Sequence, residues 1–113
     1  GADVFSRKAV RTSSGAVFRI PVLSCVRLRE DLRELAGDEL VSIPGSVLND
    51  ESEDLRQFSP TGDSVIFLLG TEASGLDSSW SACCTDFVHL PMASGVESLN
   101  VSAFAAIALH ELA

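Results

Sequence analysis

The chain has 113 residues, 46% of them hydrophobic, and sets 16 acidic side chains against 8 basic ones for a net charge of −8. That length admits one domain with a modest core, and no apolar run approaches the roughly 20 residues that span a bilayer. Three cysteines, with no Cys-x-x-Cys pair and no neighbouring histidine pair, argue against a disulfide framework or a metal site. Cys25, Cys83 and Cys84 read instead as ordinary semi-buried thiols of a reducing intracellular compartment, cytoplasmic or organellar. No secretory signal or transit peptide is recognisable.

Residues 1–21 read as a helix followed by an extended exit. Ser6 is placed to cap the helix, Val4, Phe5, Ala9 and Val10 supply an inner face, and Ser13-Ser14-Gly15 ends it. Residues 26–36 form a second helix, apolar at Val26, Leu28, Leu32 and Leu35, with Arg29 and Arg33 beside Glu30 and Glu34 on the outer side; Gly37 stops it. Residues 39–43 suit a short strand, Pro44-Gly45 a turn, and residues 49–63 a polar surface connection holding at most one helical turn.

Charge is distributed unevenly. Seven of the eight basic residues fall at or before Arg33 against only Asp3, Glu30 and Asp31, so this third is locally +4 and the remainder −12. Any contact with phosphate belongs to the early segment, although a solvated helix face accounts for each arginine singly.

Residues 65–69, Val-Ile-Phe-Leu-Leu, make a continuous apolar run that reads as a strand buried on both faces. It delivers the loop Gly70-Thr71-Glu72-Ala73-Ser74-Gly75-Leu76. Residues 77–84 fit a short helix capped by Asp77 or Ser78, with Trp80 turned inward, and residues 86–90 a further strand that Pro91 closes. His89 lies within that strand, where a satisfied core histidine is the plainer reading than a catalytic base. From Ser98 onward almost no polar face remains, so the last helix is expected to be buried or to meet a partner chain. The pattern is α/β, a mostly parallel sheet flanked by helices in a single domain over 1–113. In such sheets ligands sit at the carboxyl ends of the strands.

Two loops leave that edge. The first is Gly70-Thr71-Glu72-Ala73-Ser74-Gly75-Leu76; the second is Leu90-Pro91-Met92, continuing to Ser98-Leu99-Asn100-Val101-Ser102. Glycines at 70, 75 and 95 let backbone approach a flat ligand, whose walls Leu69, Leu90, Met92 and Leu99 would supply. In order and spacing the loops resemble motifs 2 and 3 of the SpoU/TrmH branch of the SPOUT RNA methyltransferases, and residues 8–21 resemble the helix after that family's second strand.

The resemblance implies an S-adenosylmethionine-dependent methyl transfer to a ribose 2′-hydroxyl of tRNA or rRNA, by a homodimer whose C-terminal strands and helix form a trefoil knot. Matched residue by residue, Glu72 falls on the acid of motif 2, and Ser98 and Asn100 on the polar residues lining the active site. Cofactor contacts fall on Leu69, Gly70, Thr71, Glu72, Gly75, Leu90, Pro91, Met92, Ser98 and Leu99, and RNA contacts on Arg7, Lys8, Arg11 and Arg19. Neither a metal nor a membrane enters this expectation. The bland roles stay open: Ser98 as a helix cap, Asn100 as a first-turn residue bonded to backbone, Glu72 as an exposed acid. The family's motif 1, Asn-x-Gly-x-x-x-Arg, has no match in this chain, and Arg7 and Arg11 do not fit it. The expected fold is therefore an N-terminally incomplete SPOUT domain, without its first strand and helix. An inactive remnant that retains the cofactor pocket or the dimer surface is the alternative. A serine hydrolase is the poorer one, since no Gly-x-Ser-x-Gly elbow is present.

Overall fold

The computed structural model describes residues 3–47, 52–70, 76–91 and 101–112. Among the described residues there are four α-helices, α1 (Arg7–Thr12), α2 (Leu28–Ala36), α3 (Ser78–Ser81) and α4 (Val101–Leu112), and five short strands. The strands are β1 (Val41–Ser42), β2 (Pro44–Ser46), β3 (Glu53–Asp54), β4 (Ser64–Val65) and β5 (Asp86–His89).

Among the described residues every strand pairing is parallel. β1 pairs with β4, and β2 pairs with β5, which pairs in turn with β3. The two sheets are joined at Gly45, which bridges to Leu68. Backbone bonds continue that seam: the Ile66 N–H donates to the Ser42 carbonyl at 2.9 Å, and the Leu68 N–H to the Pro44 carbonyl at 3.0 Å. Residues 41–46 thus form one central line with residues 64–68 on one side and β5 on the other.

Pro44-Gly45 is consequently not a turn. Pro44 has no N–H to give the ladder, which divides the line into β1 and β2 without ending it. Gly45 is required by a close approach from above: a Cβ there would lie 2.5 Å from Cys84 Sγ and 2.8 Å from Leu76 Cδ1.

The alternation along residues 66–68 shows how the sheet is covered. Ile66 and Leu68 pack with Leu32, Ile43, Cys83, Val41 and Trp80, the side of α2 and α3. Phe67 points the other way, into Leu55, Phe58, Val88 and Ala108 with Leu90 and Phe104, the side of α4. The Phe67 and Phe104 rings lie 5.8 Å apart. Covering both faces is what a parallel sheet requires, but the run is less enclosed than its composition suggests, with Val65 36% and Leu69 39% exposed.

Segment 49–63 also differs from its polar reading. Its described part, residues 52–63, carries edge strand β3 and buries Leu55 and Phe58, whose side chains the acidic neighbours mask in the sequence. Ser6 does cap α1, its hydroxyl accepting from the Ala9 N–H, and Ser14 and Gly15 adopt positive φ beyond its end. Val4 and Phe5, however, are exposed rather than inward, and a 3-10 turn over Ala16–Arg19 precedes the extended exit. In α2 only Leu32 is buried, and Val26 lies outside the helix, fully exposed. Arg29 stacks on Trp80 at 5.3 Å instead of pairing with a glutamate, and among the described residues Asp54–Arg56 is the only ion pair. Asp77 caps α3, which is shorter than the span 77–84. Helix α4 buries Ala108 and leaves Leu109 67% exposed. Cys25 is exposed as well, so it is not the semi-buried thiol the composition suggests.

Candidate functional site

Because the strands run parallel, their carboxyl ends meet along one edge, and hydrogen bonds lace those ends together. The Ser46 N–H donates to the Leu68 carbonyl at 3.0 Å, the Val47 N–H to the Val88 carbonyl at 3.1 Å, and the Leu55 N–H to the His89 carbonyl at 2.8 Å. The chain beyond residue 68 and the chain beyond His89 therefore leave from either side of β2. Both loops singled out in the sequence start at this edge.

Of the expected cofactor contacts, four are described. Leu69 is partly exposed, Gly70 donates its N–H to Ser46 Oγ at 3.0 Å, Leu90 packs half-buried against the α4 side of the core, and Pro91 is exposed. Thr71, Glu72, Gly75, Met92, Ser98, Leu99 and Asn100 lie outside the described residues, and with them the whole expected catalytic set. Leu76, the last residue of the first loop, packs over Gly45.

Gly45 and Ser46 were not legible as site residues, since Pro44-Gly45 outweighs, on paper, the two apolar residues Val47-Leu48 that signal a continuing strand. His89 belongs to this edge too. Its Nδ1 and Ser52 Oγ lie 2.7 Å apart, so its ring is hydrogen-bonded as expected, but it sits half-buried at the end of β5 rather than in the core. Nearby, the Arg56 guanidinium and N–H beside Asp54 hold that carboxyl down at about 2.

Burial pushes the Cys84 thiol up to about 11, with Cys83 and Asp86 adding to the shift. Such a thiol is a packing group at neutral pH, not a nucleophile. Among the described residues no three His, Cys, Asp or Glu side chains gather as a metal site, and no helix is long and apolar enough to cross a membrane.

The basic segment makes a second feature. Arg7, Lys8 and Arg11, with Thr12, line an open cleft of about 610 Å³ along α1. Arg19 stands exposed at the end of the 3-10 turn. Three of the four expected RNA contacts thus share one cleft.

A family model described as the SpoU rRNA Methylase family matches residues 1–110. The chain is 40% identical over 101 residues to a 23S rRNA (guanosine-2′-O-)-methyltransferase of Xylella fastidiosa, covering 89% of this chain and 39% of that protein. It is 31% identical to the 23S rRNA (uridine(2479)-2′-O)-methyltransferase of Streptomyces viridochromogenes, covering 97% of this chain and 39% of that protein. Among solved structures it resembles the SpoU methyltransferase AviRb from Streptomyces viridochromogenes in complex with AdoMet, with a TM-score of 0.77, 29% identity, and coverage of 98% of this chain and 45% of that one. A putative RNA methyltransferase of the TrmH family from Porphyromonas gingivalis matches with a TM-score of 0.82 and 29% identity, covering 98% of this chain and 44% of that one. The chain thus spans less than half the length of these relatives.

Proposed function

The chain belongs to the SpoU rRNA Methylase family, and on that premise we propose that it serves S-adenosylmethionine-dependent methylation of a ribose 2′-hydroxyl in RNA, rRNA before tRNA. The observation that carries the reading is the common edge: the chain leaving the sheet after Leu68 and the chain leaving it after His89 flank β2, so both loops start from that edge. The AdoMet complex of AviRb, similar in fold, supports the same cofactor here.

The described part of the edge suits such a ligand. Leu69 and Leu90 offer apolar surface at the two strand ends, and Gly70 presents backbone without a side chain in the way. When bound, the cofactor supplies an electrophilic methyl group on sulfur. The protein's part is then to exclude water and to hold the ribose hydroxyl in line with that carbon, since a weak nucleophile gains most from orientation. We assign that orienting role to Ser98 and Asn100, the support of the first loop to Glu72, and the remaining cofactor contacts to Thr71, Gly75, Pro91, Met92 and Leu99, all from the family resemblance.

The RNA backbone is assigned to the α1 cleft, where Arg7, Lys8 and Arg11 concentrate positive charge on an otherwise acidic chain. The exposed Ile107 and Leu109 of α4 support a homodimer through that helix, and the family's C-terminal trefoil knot is part of the same proposal. Three free thiols suit a reducing compartment.

The test is incubation of the protein with S-adenosylmethionine and rRNA or tRNA, followed by nucleoside mass spectrometry. New 2′-O-methylated nucleosides support the proposal. Methylation confined to bases, or none under conditions where the cofactor is bound, sinks it.

A further inference from the structure

The seam between residues 64–68 and the central line has a regular rhythm that breaks at its last step. Ile66 donates to the carbonyl of Ser42 and Leu68 to the carbonyl of Pro44, so the next bond should take Gly70 to the carbonyl of Ser46. It goes instead to the Ser46 hydroxyl, at 3.0 Å. A side chain, not the ladder, decides where this strand leaves the sheet.

Ser46 is well placed for that task. Its own N–H is committed to the Leu68 carbonyl at 3.0 Å, and its backbone runs in register with Val88 of β5. The residue therefore ties together the two strands that deliver the loops. Its neighbour Gly45 meanwhile receives Leu76, so consecutive residues of β2 hold the positions before and after segment 71–75.

We propose that Ser46 is a positioning residue of the cofactor site: its hydroxyl holds the Leu69-Gly70 backbone where the cofactor meets it. The proposal rests on the cofactor reading above. Alanine at this position leaves the Gly70 N–H either unpaired or drawn one step further along the ladder, and either outcome moves the Leu69-Gly70 peptide.

The experiment is calorimetric titration of the 113-residue chain with S-adenosylmethionine, for wild type, Ser46→Ala, Ser46→Thr and Ser42→Ala, each well below its melting midpoint. Ser42 is a strict comparison because it is buried on the same line, and its hydroxyl bonds to Thr61, away from the carboxyl edge. Loss of the Ser46 hydroxyl is expected to weaken the cofactor about tenfold, the effect of one hydrogen bond. Ser46→Thr retains the acceptor and should bind within about twofold of wild type, as should Ser42→Ala despite a lower melting point. Binding by Ser46→Ala equal to wild type, or an equal loss in Ser42→Ala, overturns the positioning role and leaves the cofactor reading standing. A folded wild type that does not bind overturns both.

Discussion

Leu76 lies directly over Gly45, so close that a Cβ on the glycine would come 2.8 Å from the leucine Cδ1 and 2.5 Å from Cys84 Sγ. The centre of the sheet is therefore shaped by an absent side chain, and the chain returning from the first loop is seated in the space it leaves. Gly45→Ala should destabilise by about 1–3 kcal/mol through overpacking. In a domain of this size each kcal/mol moves the melting midpoint by roughly 4–8 °C, readable by circular dichroism. An unchanged midpoint would mean that Leu76 and Cys84 do not sit on the strand.

How much of this was legible depends on the length of the signal. The Asp77 cap and the strand before Pro91 announce themselves by local pattern, and the structure has both, whereas the apolar run 65–69 is regular strand only at its start, in β4, and bridges the central line again at Leu68. The central line was misread because Pro44-Gly45 is a turn signal locally, while its real cause is distant: the Cys84 and Leu76 side chains that need the space, 39 and 31 residues further on. Leu55 and Phe58 were hidden for a similar reason, since four acids between residues 50 and 54 make their segment look solvated. The two loops were legible by family resemblance; the hydrogen bond from the Gly70 N–H to the Ser46 hydroxyl, 24 residues away in the chain, has no local signal.

The segment after β3 is core, and this is separable from its polar appearance. Leu55 is 1% exposed, so Leu55→Ala should cost about 2–5 kcal/mol in chemical denaturation. Gln57→Ala, two residues away and exposed, should stay within about 0.5 kcal/mol. Equal small effects would return the segment to the surface.

Asp54 gives a pH signature. Its folded carboxyl titrates at about 2 against the ordinary 3.8, chiefly through the Arg56 hydrogen bonds. A lowered folded value means stability that is fully present above about pH 4 and is lost as pH falls toward 2. Asp54→Asn should therefore flatten the decline between pH 4 and pH 2, with the difference small because the pair is open to solvent and salt. Parallel pH profiles for the two proteins would show that the pair is not formed.

Arg7, Lys8 and Arg11 share one cleft, so their loss should act as a unit on RNA. Replacing all three with alanine should weaken binding to a single-stranded fragment and reduce the slope of log affinity against log salt by about 2, from about 0.7 per phosphate contact. A lower affinity with an unchanged slope would place the phosphates elsewhere.

The central claim is that the edge carrying Leu69-Gly70 and Leu90-Pro91 is an S-adenosylmethionine site, and a calorimetric titration of this chain beside an Asn100→Ala variant tests it most directly. Saturable binding by the wild type, weakened in the variant, is the predicted result. A folded chain that takes up no cofactor, or a variant that binds as well as the wild type, would contradict it.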